Sequence, residues 1–179
     1  SVAKMNAEWK TSYAAFADVA VPSNALKLTA SPESVEFVRF NRRAFADFHR
    51  WMADVVHEMA PEIPVHAKIM IHCSFYRGET YASVDIEQFS ELSDYNGNDA
   101  CDWPLAGDPR GWAHEWWTTE AGYDYQRSAK DVPVFNTENH NIKDRECAAI
   151  SGRHIYTALW QNAVHGQSAT TEWLWERAY

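Results

Sequence analysis

Basic residues are scarce in this 179-residue chain. Lysine and arginine total 16 against 25 acidic residues, a formal charge of −9. Such an acidic surface disfavours nucleic acid and anionic membranes as partners. Long apolar runs are missing too: no window approaches the roughly 18 apolar residues of a membrane span. The polar, amphipathic Ser1–Lys10 stretch is no signal peptide. The three cysteines, Cys73, Cys101 and Cys147, are too far apart for a metal motif or a disulfide framework, and read as free thiols of a cytosolic protein. There is no glycine-rich phosphate loop, no H-E-x-x-H, no G-x-S-x-G and no internal repeat.

Aromatic residues, by contrast, are abundant, with nine tryptophans and eight tyrosines. Some must be core. Others, set near acids and amides, suit sugar rings, whose C–H faces pack on indole.

Hydrophobic spacing predicts an alternating order. Val2, Met5, Trp9 and Tyr13 recur at helical intervals, and a turn-rich loop follows from Asp18 to Thr29. Ser31-Pro32-Glu33 opens a long helix, with Ser31 as N-cap and proline at the first helical position. Its apolar stripe is Phe37, Phe40, Ala44, Phe48, Trp51, Val55 and Met59. Arg39, Arg42, Arg43, Asp47, Arg50 and Asp54 form the solvated face, and Pro61 and Pro64 end the helix.

Val65–Cys73 reads as a strand with His66, Lys68 and Met70 on one face. Asp85–Leu92 is a short helix. Asp94–Asp99 is a polar strand or a turn, the turn being favoured without context, and Gly97 would let another backbone come close. Residues 100–111 form an irregular loop, and a helix bearing Trp112, Trp116, Tyr123 and Tyr125 runs to about Ser128. Val132–Phe135 is a buried strand that ends in the polar run Asn136-Thr137-Glu138-Asn139-His140. A final helix carries Ile150, His154, Ile155, Ala158, Leu159 and Asn162 and stops at His165-Gly166, with glycine as cap. Gln167–Trp175 is the last strand. The alternation argues for βαβ units and a parallel sheet, with polar groups gathered at strand C-termini.

Four stretches carry a family resemblance. They are Met5-Asn6-Ala7-Glu8-Trp9 with Thr11-Ser12-Tyr13 and the loop to Pro22; Phe40 to Lys68; Phe135-Asn136-Thr137-Glu138; and Ala158-Leu159-Trp160-Gln161 through His165-Gly166 to Trp173-Leu174-Trp175. In this order the chain resembles the second half of a clan A glycoside hydrolase barrel, nearest to the family 42 β-galactosidases. Lys10 stands where that family usually has glycine. The resemblance implies one domain over 1–179: a partial (β/α)8 barrel of about four parallel strands alternating with helices. At 179 residues it is shorter than the roughly 250 of a full barrel.

The resemblance further implies a retaining β-glycosidase acting on a small galactoside or related glycoside, with Glu138 as nucleophile. It implies no cofactor and no metal. His72, Asn98, Asp99, Asn136, His140 and Trp173 are the expected sugar-binding residues, Trp173 as a stacking platform. The family's acid/base glutamate follows an asparagine, and no Asn-Glu dipeptide occurs in this chain. The acid half of the site is therefore expected from a missing barrel half or a second copy. One alternative is a carbohydrate-binding or structural remnant without turnover. Another is a metal-dependent hydrolase using His72, Asp99 and His140, for which no ligand spacing speaks.

Overall fold

The computed structural model describes residues 1–22, 31–71, 84–102, 116–141 and 150–173. Among these described residues ten elements follow one another: α1 (Val2–Trp9), a 3-10 turn (Phe16–Asp18), α2 (Pro32–Met59), β1 (Lys68–Ile69), α3 (Ile86–Leu92), β2 (Asn96–Asn98), α4 (Trp116–Ala129), β3 (Val134–Asn139), α5 (Gly152–Val164) and β4 (Gln167–Glu172). The four strands form one sheet in the order β1-β2-β3-β4, and every pairing is parallel. This is the architecture of a partial (β/α)8 barrel. Among the described residues no helix is long and apolar enough to cross a membrane.

Side chains set the element boundaries. Ser1 caps α1 by accepting from the Lys4 N–H, and Lys10 leaves the helix in the left-handed region at φ 58°. Tyr13 therefore lies beyond α1. The Asn6 amide donates to the Tyr13 carbonyl and accepts from Tyr13 N–H and the Thr11 hydroxyl, which folds the chain back. Ser31 caps α2 and Pro32 opens it, as expected. Ser151 caps α5, and Gly166 ends it at φ 106°.

The apolar stripe of α2 does not face the core. Phe40 is 67%, Trp51 60% and Met59 82% exposed, whereas Ala46 and Ala53 on another face are buried. The physical reason is the close approach of α3. Small residues let it come near, and Phe45 and His49 stack on Phe89. Arg42 and Arg50, expected on the solvated face, reach Asp85 at 3.9 Å and Glu91 at 3.5 Å across that contact. Replacing the exposed Trp51 with glutamate is therefore expected to change stability by no more than about 0.5 kcal/mol. Ala53→Leu is expected to cost about 1–3 kcal/mol by overpacking. Urea denaturation of the two variants checks this, and the opposite ranking would restore the stripe to the core.

β1 is shorter than its sequence suggests. Asp94 accepts from the Val65 N–H and Ser93 from the Ala67 N–H, so side chains replace the ladder there. Asn96–Asn98 pairs on both sides and is a strand, not the turn that was favoured. Its middle residue, Gly97, lies against the His66 ring and the Ala67 carbonyl. The core between the sheet and its helices comprises Ala46, Ile69, Ile71, Ile86, Phe89, Ala100, Tyr123 and Val134. Into the same layer the strands turn Asn96, Asn98 and Asn136, which bond to Gln126, Lys130 and Tyr123 of α4 and the turn after it. The opposite face carries a stack of His66, Tyr95 and Phe135, with His66–Tyr95 centroids 4.5 Å apart.

Candidate active site

The pairing continues past the strand ends and draws them into one rim. Cys101 bridges His140, the Asp102 N–H bonds to the His140 carbonyl at 3.0 Å, and the Trp173 N–H bonds to the Asn139 carbonyl at 2.9 Å. The C-terminal ends of β2, β3 and β4 thus lie side by side. At that rim stands Glu138, on an irregular part of β3 where the register with β4 shifts between Asn136 and Asn139. The Asn136 side-chain oxygen accepts the Glu138 N–H at 3.1 Å and fixes its backbone.

Two groups hold the Glu138 carboxylate. Lys68 of β1 donates to one oxygen. His140 stands 3.1 Å from the other, and because a carboxylate only accepts, the imidazole Nε2–H donates. The Lys68 ammonium also lies 4.0 Å from Asp99. Burial pushes the Glu138 carboxyl upward, but the hydrogen bonds and charges of Lys68 and His140 together outweigh it and bring the group below its ordinary range. The Glu138 side chain is 23% exposed, so water and a ligand can reach it. Trp173 packs on His140, ring centroids 5.9 Å apart.

The structure therefore gathers Glu138, Asp99 and His140, with Trp173 behind His140. Asn98 and Asn136 stand elsewhere. Both are 0% exposed and face the helices. The Asn98 amide donates to Gln126 at 2.7 Å and its oxygen accepts the Ala100 N–H. Asn136 donates to the Ala100 carbonyl at 2.8 Å and to the Tyr123 hydroxyl at 3.0 Å. Their work is to fix the strands on α4. His72 lies outside the described residues. Lys68 was not singled out in the sequence, although a lysine that alternation places on one face of a sheet strand is a usable signal.

A second polar layer, also missed, sits behind the rim. Asp102, 0% exposed, accepts from Asn139 at 2.9 Å and Asn162 at 2.7 Å, and its backbone carbonyl meets His154. Asn139 and Asn141 also bond to Glu172. Burial pushes Asp102 up to about 6 against the pull of the two amides, and it raises Glu172 as well. Glu120 on α4, 6% exposed, is pushed up to about 7, chiefly by burial. Among the described residues no three His, Cys, Asp or Glu side chains converge as a metal site.

A carboxylate kept ionised beside an imidazole and an indole can act as a nucleophile or accept hydrogen bonds from hydroxyls. A β-galactosidase family model, that of glycoside hydrolase family 42, matches residues 2–107. The match spans α1 to beyond β2 and stops short of the strand that carries Glu138. No curated protein matches. Among solved structures, a polyextremophilic β-galactosidase from the Antarctic haloarchaeon Halorubrum lacusprofundi superposes with a TM-score of 0.71 at 20% identity. The superposition covers 98% of this chain and 27% of that one, so the chain spans about a quarter of the haloarchaeal enzyme's length. The family match covers more than half of these 179 residues, and the chain belongs to the glycoside hydrolase family 42 β-galactosidases.

Proposed function

We propose that the protein contributes to a retaining β-glycosidase that acts on a small galactoside or related glycoside, with Glu138 as its nucleophile. One observation carries the reading: Glu138 stands at the C-terminal end of a parallel strand, its carboxylate held anionic by Lys68 and His140 and open to the rim. Barrel enzymes keep their chemistry at this end. In the first step Glu138 attacks the anomeric carbon as the bond to the leaving oxygen breaks, and an acid gives that oxygen a proton. In the second step water displaces Glu138 and gives its proton back to the same acid.

The acid has no match within these 179 residues, which hold no Asn-Glu dipeptide, and we place it on barrel strands outside them. The sheet supports this arrangement. Among the described residues β1 and β4 are its edges, and its inner face leaves Met70 49% exposed. Strands from the rest of a barrel, or from a second copy, would cover both. Asp99, His140 and Trp173 are the sugar-binding candidates at the rim, the indole offering a ring face to the pyranose.

Glu138→Gln is expected to lower kcat by roughly 10³-fold or more in the native protein while leaving galactoside binding measurable. A 2-fluoro-galactoside inactivator is expected to label the peptide containing Glu138. Recovery of the label on any other peptide ends the assignment.

A further inference from the structure

We infer that Lys68 is a positioning residue for Glu138, reaching across the inner face of the sheet to aim the carboxylate, with Asp99 as its second anchor. The two strands involved are not neighbours, because β2 lies between β1 and β3. Lys68 pairs in register with Gly97, and Gly97 with Phe135. Glycine at that position puts no β2 side chain between the ammonium and β3. The strand ends are tied as well, since the Asp99 N–H bonds to the Ile69 carbonyl at 3.1 Å. Lys68 thus emerges from a fixed backbone, crosses β2 and ends on two carboxylates, Asp99 just past the end of β2 and Glu138 on β3.

One ammonium shared between two carboxylates on a fixed sheet sets this contact apart from an ordinary surface ion pair, which contributes little. The Asp99 side chain is 10% exposed and that of Glu138 23%. Without the ammonium, the Asp99 and Glu138 carboxylates lose the cation they share. Like charges then disfavour each other's ionisation, and the Glu138 side chain loses one of the two partners that fix its rotamer. The other groups around Glu138 do not replace the cation. His140 already holds the second oxygen, and Trp173 packs behind His140. Glu172 and Asp102 are tied to Asn139 behind the rim and add only negative charge.

The catalytic consequence rests on the glycosidase reading above; the clamp itself does not. The test follows Glu138 by carbon NMR in the native protein with labelled glutamate, in wild type, Lys68→Met and Lys68→Arg. In Lys68→Met the Glu138 titration is expected to move up by about one pH unit, and in Lys68→Arg to return most of the way. The acid limb of the kcat/KM profile for an aryl galactoside is expected to move with it, with kcat falling more than KM rises. An unmoved Glu138 titration in Lys68→Met overturns the clamp. A titration that moves while the acid limb stays in place overturns the role in positioning a nucleophile. If the clamp is seen but Glu138→Gln keeps full turnover, the glycosidase assignment fails and the clamp stands.

Discussion

Stability is expected to fall as pH rises from about 4 to about 8, by about 3 kcal/mol for each of two buried carboxyls. Asp102 is pushed up to about 6 and Glu120 up to about 7, both chiefly by burial. In each case the folded state holds a proton that the unfolded chain has already released. The native state therefore binds more protons, and the slope of unfolding free energy with pH is negative through this window. Glu172, also raised by burial, acts with the same sign. Glu138 and Asp94 act the other way. Their carboxyls are lowered in the fold, so what they contribute is present above about pH 4.5 and lost below it. The maximum should sit on the mildly acidic side of neutrality.

Urea denaturation at pH 5 and pH 8 reads this directly. Glu120→Gln should raise stability at pH 8 and change it little at pH 5, because the amide carries no charge for burial to disfavour. Asp102→Asn should flatten the pH dependence less cleanly. Its second oxygen accepts from two amides, which an asparagine must reproduce by orientation. Equal stability at both pH values, or an unchanged slope in Glu120→Gln, would show that these carboxyls are not buried as described.

Gly97→Ala is expected to cost about 1–3 kcal/mol or more, although it adds one methyl group. A Cβ there would stand 2.0 Å from His66 Nδ1, 2.6 Å from His66 Cε1 and 3.0 Å from the Ala67 carbonyl. The imidazole must leave its stack on Tyr95, while the backbone oxygen can move only with β1. The double variant Gly97→Ala with His66→Ala should recover a large part of the loss, since the two sites share one contact. Thermal melts of the singles and the double decide the matter; a neutral Gly97→Ala would mean that β1 and β2 do not approach so closely.

The alternation of elements was legible because caps, prolines and β-rich runs are local signals: Ser31, Pro32 and Gly166 act where the pattern put them. Which face turns inward was harder to read. The helical spacing of apolar residues marks one stripe of α2, yet burial goes to Ala46 and Ala53, because a near neighbour selects small side chains over large ones. Asn98 and Asn136 looked like sugar ligands because amides near strand ends often are. Strand phase decided otherwise and turned them toward α4. Lys68 escaped notice because its partners are about 30 and 70 residues away in sequence, and only the sheet order brings them to it. The same long-range pairing explains why Asp102 and Asn139 went unseen as a unit.

The amide layer between the sheet and α4 behaves as a vernier. Apolar side chains tolerate a small slide of helix along strand, whereas directional bonds do not. Gln126 grips the Gly97 carbonyl and the Asn98 amide, and Tyr123 grips Asn136. The remaining oxygen of Asn136 receives the Glu138 N–H. The depth of α4 along the strands is thereby tied to the height at which Glu138 meets the rim. A substitution on the outer helix, remote from any sugar, can raise or lower that carboxylate relative to whatever faces it across the mouth.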